Sequence, residues 1–598
     1  MKRRWSIAAP QPELAKELAE ATQVSPMLAQ CLLNRGLSAT STIRAFLQPR
    51  LKDLADPFLL PNMAAAVERL YRARERKELL VIFGDYDVDG VTSTALLLEV
   101  LRALGWTVKA YLPHRMDEGY GLSQDAVENC LKQYPVSLLL AVDCGSTTVA
   151  SVAWLRARGV DVIIVDHHQV STPAPAATAL VNPQIVGASS GHGPQSEVVG
   201  GVVEGGIQSA PFTELCSVGL AFKLAHALVK RGREEGMLEA VNFDLRPLLD
   251  LVALGTIADI VPLTGENRRL VSVGLERLSS TRRPGLVALR QVAQSPVMLG
   301  TYEVGFQLAP RLNAAGRLET AAEALELLLA EDMGKAAAIA RNLDAHNRER
   351  QTIERTIAEE VIGALKPTFN AETDFVIVQG QMSWHIGVVG IVASRVLQQF
   401  YRPTIILGGN GGQFRGSGRS IAGFDLAAAL RECDDLLVRH GGHAMAAGLA
   451  LDPVNLDRFR VRLNELARRS LRPEQLQPEL RLDAEVNLAE ITLATLASLD
   501  QLKPIGQGNP SVQFFARDLA CQGSPVRMGA DKQHLKLRIT DGITTQEAVW
   551  WGAKDQSLTS ERFDLAFMPQ TNEYHGRRTV QLKVLDWRPA QVAVRLAH

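Results

Sequence analysis

Aromatic residues make up only 5% of the 598, neither sign of charge is in excess, and no long apolar run occurs. Lys and Arg number 64 against 65 Asp and Glu, a formal net charge of −1. Bulk charge therefore announces no polyanionic partner, and any such contact needs a local basic groove. No uninterrupted apolar stretch reaches the ~18 residues of a membrane helix, and the broken apolar stretch after the first residues reads as no signal peptide. The six cysteines lack paired spacing, which argues against a disulfide framework. Structural thiols in a reducing compartment fit them, with the cytoplasm as the default location. The length is too great for one core and predicts roughly three to five domains.

What is present is a cluster of carboxylates. The apolar run 79–83 leads into residues 84–90, GDYDVDG, which sets Asp85, Asp87 and Asp89 at a strand end beside a turn. Like charges so close repel strongly unless a divalent cation neutralises them or one is protonated. Read alone, the motif is equally a surface turn in which Asp and Gly supply turn chemistry. An EF-hand loop needs Glu at its twelfth position, where this chain has Leu96. Recurrence decides for a site. Run 136–142 ends at Asp143, run 162–165 at Asp166, His167 and His168, and the apolar segment 251–258 at Asp259. Helical stretches at 91–104 and 147–158 lie between, the βαβ rhythm of a parallel sheet whose sites form at the carboxyl ends of its strands. Oxygen ligands with one or two imidazoles suit manganese or magnesium better than zinc.

In that order the residues resemble the DHH phosphoesterase superfamily. Asp85, Asp87 and Asp89 match its first motif, Asp143 its second, Asp166-His167-His168 the naming motif and Asp259 the late aspartate. Residues 84–90, 113–121 (PHRMDEGYG) and 309–318 (APRLNAAGRL) are most similar to its single-strand-specific 5′ to 3′ exonucleases. One departure is His114, where those enzymes commonly carry Asn. The resemblance implies two divalent cations, Mn²⁺ or Mg²⁺, about 3.5 to 4 Å apart, with a bridging hydroxide for in-line attack on phosphorus. It implies Asp85, Asp87, Asp89, Asp143, His167 and Asp259 as ligands, with Asp143 bridging. Catalysis would rest on Asp87, Asp89, Asp143, His167, His168 and Asp259, with His168 at the phosphate or leaving group and Asp166 orienting an imidazole. Arg115 and Arg317 are implied phosphate clamps, and Arg311, Asn313, Trp384 and His385 strand or phosphate contacts. Tyr120 either stacks on a base or packs within its loop. Single-stranded DNA is the implied substrate of a monomer with no membrane association, in DNA repair and recombination beside single-strand-binding protein and a helicase.

The fold expected is multidomain α/β: an N-terminal helical appendage (1–60), a parallel-sheet DHH catalytic domain (61–270), a helical connector (271–365), a smaller α/β DHHA1 domain (366–472) and an OB-like β-barrel (473–598). Short helices capped near Ser25 and Ser41 are expected in the appendage, and a solvated helix over 336–365. In the DHHA1 region, 411–420 and 441–448 read as glycine-rich turns, and the resemblance assigns Ser417, Arg419 and His443 to terminal-phosphate binding. Short alternating segments after 478 suggest a barrel that holds single strands by stacking. Trp550 and Trp551 cannot both face inward on one regular strand. Residues 187–210 read as a surface insert. Small-substrate phosphodiesterases and pyrophosphatases of the superfamily keep the metals but need no barrel, and a binding scaffold is expected to lose ligands, whereas every candidate ligand is present.

Overall fold

The computed structural model describes residues 3–114, 117–119, 121–185, 212–318, 320–553, 558 and 560–590. Arg115, Tyr120 and the 187–210 insert lie outside them. The chain forms two compact units, the smaller built mainly from Arg341–Leu480 and the larger from Ser6–Gly316, Thr320–Ala340 and Arg481–His598. No helix among the described residues is long and apolar enough to cross a membrane.

In the larger unit, five parallel strands run in the order Val108–Tyr111, Leu80–Gly84, Leu138–Val142, Asp161–Val165, Ala179–Val181. The two central strands are buried along their whole length, as a sheet covered on both faces requires, which is why they read as continuous apolar runs. Helices Val88–Ala103, Gln124–Gln133 and Val149–Arg156 make the return connections. Register matters most for function. Gly84 pairs with Val142 and Val142 with Val165, so Asp85, Asp143 and Asp166 are the next residues out on three adjacent strands.

The C-terminal part of this unit is a barrel. Strands Phe514–Cys521, Phe563–Tyr574, Arg577–Pro589, Thr545–Trp550 and His534–Thr540 pair in sequence, and the last pairs back to the first, closing a five-stranded ring. Trp550 faces the core and Trp551 is half-exposed, its ring edge against His534. The N-terminal helices are no free appendage: Leu28, Leu32 and Ile43 share one apolar core with Phe514, Phe563 and Phe567. Ser25 caps the Pro26–Leu33 helix as expected. Ser41 caps nothing, because the Thr40–Leu47 helix begins one residue earlier, after Ala39.

Arg268 fastens the barrel to the parallel-sheet layer. Its guanidinium is buried over the Phe46 ring, 3.6 Å from the centroid. It donates to the carbonyls of Phe46 at 2.8 Å, Leu502 at 2.9 Å, Lys503 at 2.8 Å and Gln501 at 3.2 Å. Next to it, the Leu263 amide donates to the Gln507 carbonyl at 2.7 Å.

The smaller unit holds a mixed sheet ordered Leu437–Gly442, Ala446–Leu451, Gln413–Arg419, Thr404–Asn410, Ile377–Gln381, of which only the last pair is parallel. The segments read as glycine-rich turns are therefore mostly strands. Their glycines admit close neighbours: a Cβ on Gly416 would lie 2.3 Å from Leu407 Cδ2 and one on Gly418 2.5 Å from Leu426 Cδ2. The expected connecting helix is continuous over Met333–Leu365. It is not simply solvated, because Asn347, Arg350 and Glu354 are buried on one face, Arg350 donating to both partners.

Candidate metal centre and phosphate site

The first motif leaves its strand and turns at once into a helix. Asp87 caps the Val88–Ala103 helix, its Oδ1 accepting from the amides of Asp89 at 3.0 Å and Gly90 at 3.1 Å. A Cβ on Gly90 would lie 2.5 Å from the Asp85 carbonyl oxygen, so this turn needs glycine. Asp143 adopts a left-handed φ of 62°, costly for a residue with a Cβ and typical of sites held by their surroundings. Its amide donates to Val165 O at 3.1 Å, and its Oδ1 accepts from Ser217 Oγ at 2.9 Å. Asp259 comes from a helix, at the C-terminal end of Leu249–Ala258.

Three groups of ligand atoms result, each within 4.8 Å: Asp85, Asp87 and Asp143; Asp143, His167 and His168; and Asp89, His167 and Asp259. His167 Nε2 lies 3.5 Å from both Asp143 Oδ1 and Asp259 Oδ2. Both His167 Nε2 and Asp259 Oδ2 are buried without a hydrogen bond, an arrangement that a cation completes. Asp166 is otherwise engaged. Its Oδ1 accepts from the amides of His167 at 2.8 Å and His168 at 3.2 Å and lies 2.7 Å from His168 Nδ1, while Oδ2 accepts from the Ser146 amide at 3.0 Å.

Charge is poorly compensated here. Burial and the neighbouring carboxylates push Asp143 well above the ordinary carboxylate range, Asp89 to about 7 and Asp259 to about 9. Burial also drives His167 down to about 4. For His168, burial acts downward but is outweighed by its bond to Asp166 and that carboxylate's charge, which lift it to about 9. Deprotonated carboxylates beside a neutral imidazole are what a hard divalent cation demands, and binding one would release the extra protons. The thiols of Cys144 and Cys216 are buried and pushed well above their usual range, so they offer no soft ligand.

In the smaller unit, Ser417 and Arg419 lie on the Gln413–Arg419 strand against the first turn of the Val389–Phe400 helix, for a Cβ on Gly390 would meet Ser417 Oγ at 3.1 Å and Arg419 Nη2 at 3.2 Å. The positive end of the helix dipole favours an anion there. Arg419 Nη1 donates to Ser417 Oγ at 2.9 Å. His443 is exposed in the turn before Ala446, which pairs with Arg419. His385 Nδ1 accepts from the Gly387 amide at 3.1 Å, and Arg317 Nη1 donates to the Gly387 carbonyl at 3.2 Å.

Three family models match: the N-terminal domain of the DHH family over residues 79–256, the DHHA1 domain over 373–469 and the RecJ OB domain over 482–586. The single-stranded-DNA-specific exonuclease RecJ of Bacillus subtilis is 36% identical over 98% of this chain and 71% of its own length. That of Salmonella typhimurium is 35% identical over 96% of this chain and 97% of its own. This chain belongs to the RecJ family. Crystal structures of RecJ from Thermus thermophilus agree. The Mn²⁺ complex superposes with a TM-score of 0.81 at 30% identity, covering 98% of this chain and 80% of that one. For the Mg²⁺ complex the values are 0.75 and 28%, covering 98% and 79%.

Three of the residues expected to contact the strand have partners within the chain. Trp384 is buried, and its indole N–H donates to Glu360 at 2.9 Å, so its ring packs a core and offers no face to a base. Asn313 Oδ1 accepts from the Val88 amide at 3.1 Å, and Arg311 Nη1 donates to the Gln307 carbonyl at 2.6 Å. Sequence reasoning missed Ser217, whose amide, with that of Val218, donates to Asp89 at 2.7 and 2.8 Å. It also missed Asn182, which ties Ser146 Oγ and the His168 carbonyl, each at 2.8 Å. The one signal available for Asn182 was its place at the end of another apolar run, next outward from Val181, which pairs with Val165.

Proposed function

We propose that this chain is a metal-dependent exonuclease of single-stranded DNA that works from 5′ to 3′ and releases mononucleotides. The observation that carries the reading is the set of three ligand groups at one sheet edge, in which Asp143 and His167 are each shared by two. Divalent cations held there, Mn²⁺ or Mg²⁺, supply Lewis acidity toward the phosphate and lower the pKa of water.

The chain's own residues have separate tasks. Asp85, Asp87 and Asp143 would hold one cation and Asp89, His167 and Asp259 the other, with Asp143 the candidate shared ligand. Ser217 fixes the Asp143 carboxylate and, with Val218, that of Asp89. Asp166 keeps the His168 ring oriented and protonated beside the cluster, where it supports charge on the phosphate or leaving oxygen. Ser417, Arg419 and His443 take a terminal phosphate, which accounts for a preference for one strand end. Arg115 and Arg317 are the further phosphate clamps of this reading. By family likeness the enzyme acts as a cytoplasmic monomer in repair and recombination, alongside single-strand-binding protein and a helicase.

The test is cleavage of long single-stranded DNA labelled at either end, with Mn²⁺ or Mg²⁺. Early mononucleotide release from the 5′ label, absent with EDTA and on blunt duplex, is expected. Activity confined to dinucleotides would overturn the reading in favour of a small-substrate phosphodiesterase.

A further inference from the structure

Outside the metal edge, the larger unit carries an aromatic pair that none of the roles above uses. Tyr302 is 62% exposed and Phe306 70%. Their rings stack, with centroids 5.0 Å apart and planes at 29°, so each covers one face of the other while most of both rings meets solvent. Two large exposed rings are expensive to keep on a surface unless something covers them in use.

Their place follows from Pro310. Proline has no N–H to donate, and its ring clashes with the carbonyl four residues back, which here is that of Phe306. The chain accommodates this as a π-turn over Val304–Leu308, between Thr301–Glu303 and the Ala309–Leu318 helix. Such widened turns concentrate at functional sites.

Two contacts tie the turn to the metal edge. Downstream on the same helix, Asn313 holds the Val88 amide, between Asp87 and Asp89. At a rise of 1.5 Å per residue, Phe306 lies roughly 10 Å along the helix from that contact. The Gly305 Cβ position is 3.8 Å from Ile257 Cγ2, on the last turn before Asp259. The exposed pair is thus built on a turn and helix that brace the elements carrying ligand residues.

We propose that Tyr302 and Phe306 form a stacking platform for unpaired bases a few nucleotides from the scissile phosphate, which rests on the exonuclease reading above. A strand whose backbone sits at the cluster must lay its neighbouring bases on nearby surface. Stacking is indifferent to base identity, as a nuclease that degrades any sequence requires. It also discriminates against duplex, whose bases already stack on one another and present no face. The platform is therefore a determinant of strand selectivity as well as affinity.

The experiment compares Tyr302→Ala, Phe306→Ala, Phe306→Leu and Phe306→Trp with the unaltered protein on a 20-nucleotide strand and on a dinucleotide. For the two alanine variants and Phe306→Leu, the rise in KM on the long strand should exceed that on the dinucleotide roughly tenfold. Phe306→Trp should stay near the parent value. A second readout uses a strand carrying 2-aminopurine bound to the Asp143→Ala protein, which leaves it uncut. Stacking quenches the fluorophore, and adding Tyr302→Ala and Phe306→Ala should abolish the quenching. Equal losses on both substrates would mark a structural role and overturn the proposal. So would unchanged kinetics, or a Phe306→Leu variant as good as the parent, which would point to an apolar protein partner. If the unaltered protein cut no strand at all, the exonuclease reading would fail, while the 2-aminopurine signal would still report on the platform.

Discussion

At the edge of the parallel sheet, burial and mutual repulsion make the carboxyls of Asp89, Asp143 and Asp259 hold their protons until a cation displaces them. In the smaller unit, Arg419 already bonds to Ser417 Oγ and, at 2.8 Å, to the Gly418 carbonyl, and the glycines of the ladder simply bring backbones close. The first region is completed by a ligand, and the second is complete before a ligand arrives. Cation binding at the metal edge should therefore stabilise the fold both by its own affinity and by relieving repulsion between carboxyls, whereas a phosphate at the glycine ladder should stabilise it by its affinity alone.

The contrast can be broken in three places. The largest effect belongs to Asp143→Ala, which should lower the cleavage rate by about a thousandfold or more while leaving the fold and some strand binding intact. Mn²⁺-dependent activity retained in a correctly folded variant would remove Asp143 as the bridge. Next, Arg419→Ala should raise KM for a 5′-phosphorylated strand by about ten- to a hundredfold, the worth of a charge-assisted hydrogen bond, with the maximal rate nearly kept. It should leave the Mn²⁺-dependent gain in melting temperature unchanged, and a lowered gain would show that the two regions are not separate in energy.

The smallest effect is a pH dependence. Asp89 and Asp259 bind protons more tightly in the folded state, near 7 and 9, than their ordinary 3.8. Between about 4 and 9 the folded state thus holds more protons than the unfolded, and metal-free stability falls as pH rises through that window. His168, raised to about 9 from 6.5, adds stability at low pH that is lost in the same direction. Melting curves in EDTA should shift down by a few degrees from pH 6 to pH 9, and saturating Mn²⁺ should flatten the trend. A metal-free melting temperature that climbs with pH would contradict the charge assignment.

How much of this could be read from the chain depended on where each residue sits relative to an apolar run. Asp85, Asp143 and Asp166 were legible because a buried parallel strand announces itself and its next residue is at the sheet edge. Asp259 was legible by the same cue although its segment is a helix. Ser217 was not, since its hydroxyl reaches Asp143 across 74 positions and its amide reaches Asp89, both groups that any helix start provides. Trp384, taken as a strand contact by resemblance alone, is buried in the fold, and no local pattern around it shows that. The glycine-rich segments misled because glycine marks close approach in a strand as readily as a turn. The shared core of the N-terminal helices and the barrel spans nearly the whole chain, and no local pattern encodes such a pairing.

Arg268 grips the barrel's entrance loop through carbonyl oxygens alone, reading the course of the main chain and none of its side chains. Such a socket is tolerant of drift: the exposed Gln501 and Lys503 can change identity over many generations while the joint holds, provided the path of the backbone and the buried Leu502 are kept. Evolution is then free to retune the barrel's outer surface without rebuilding this seam.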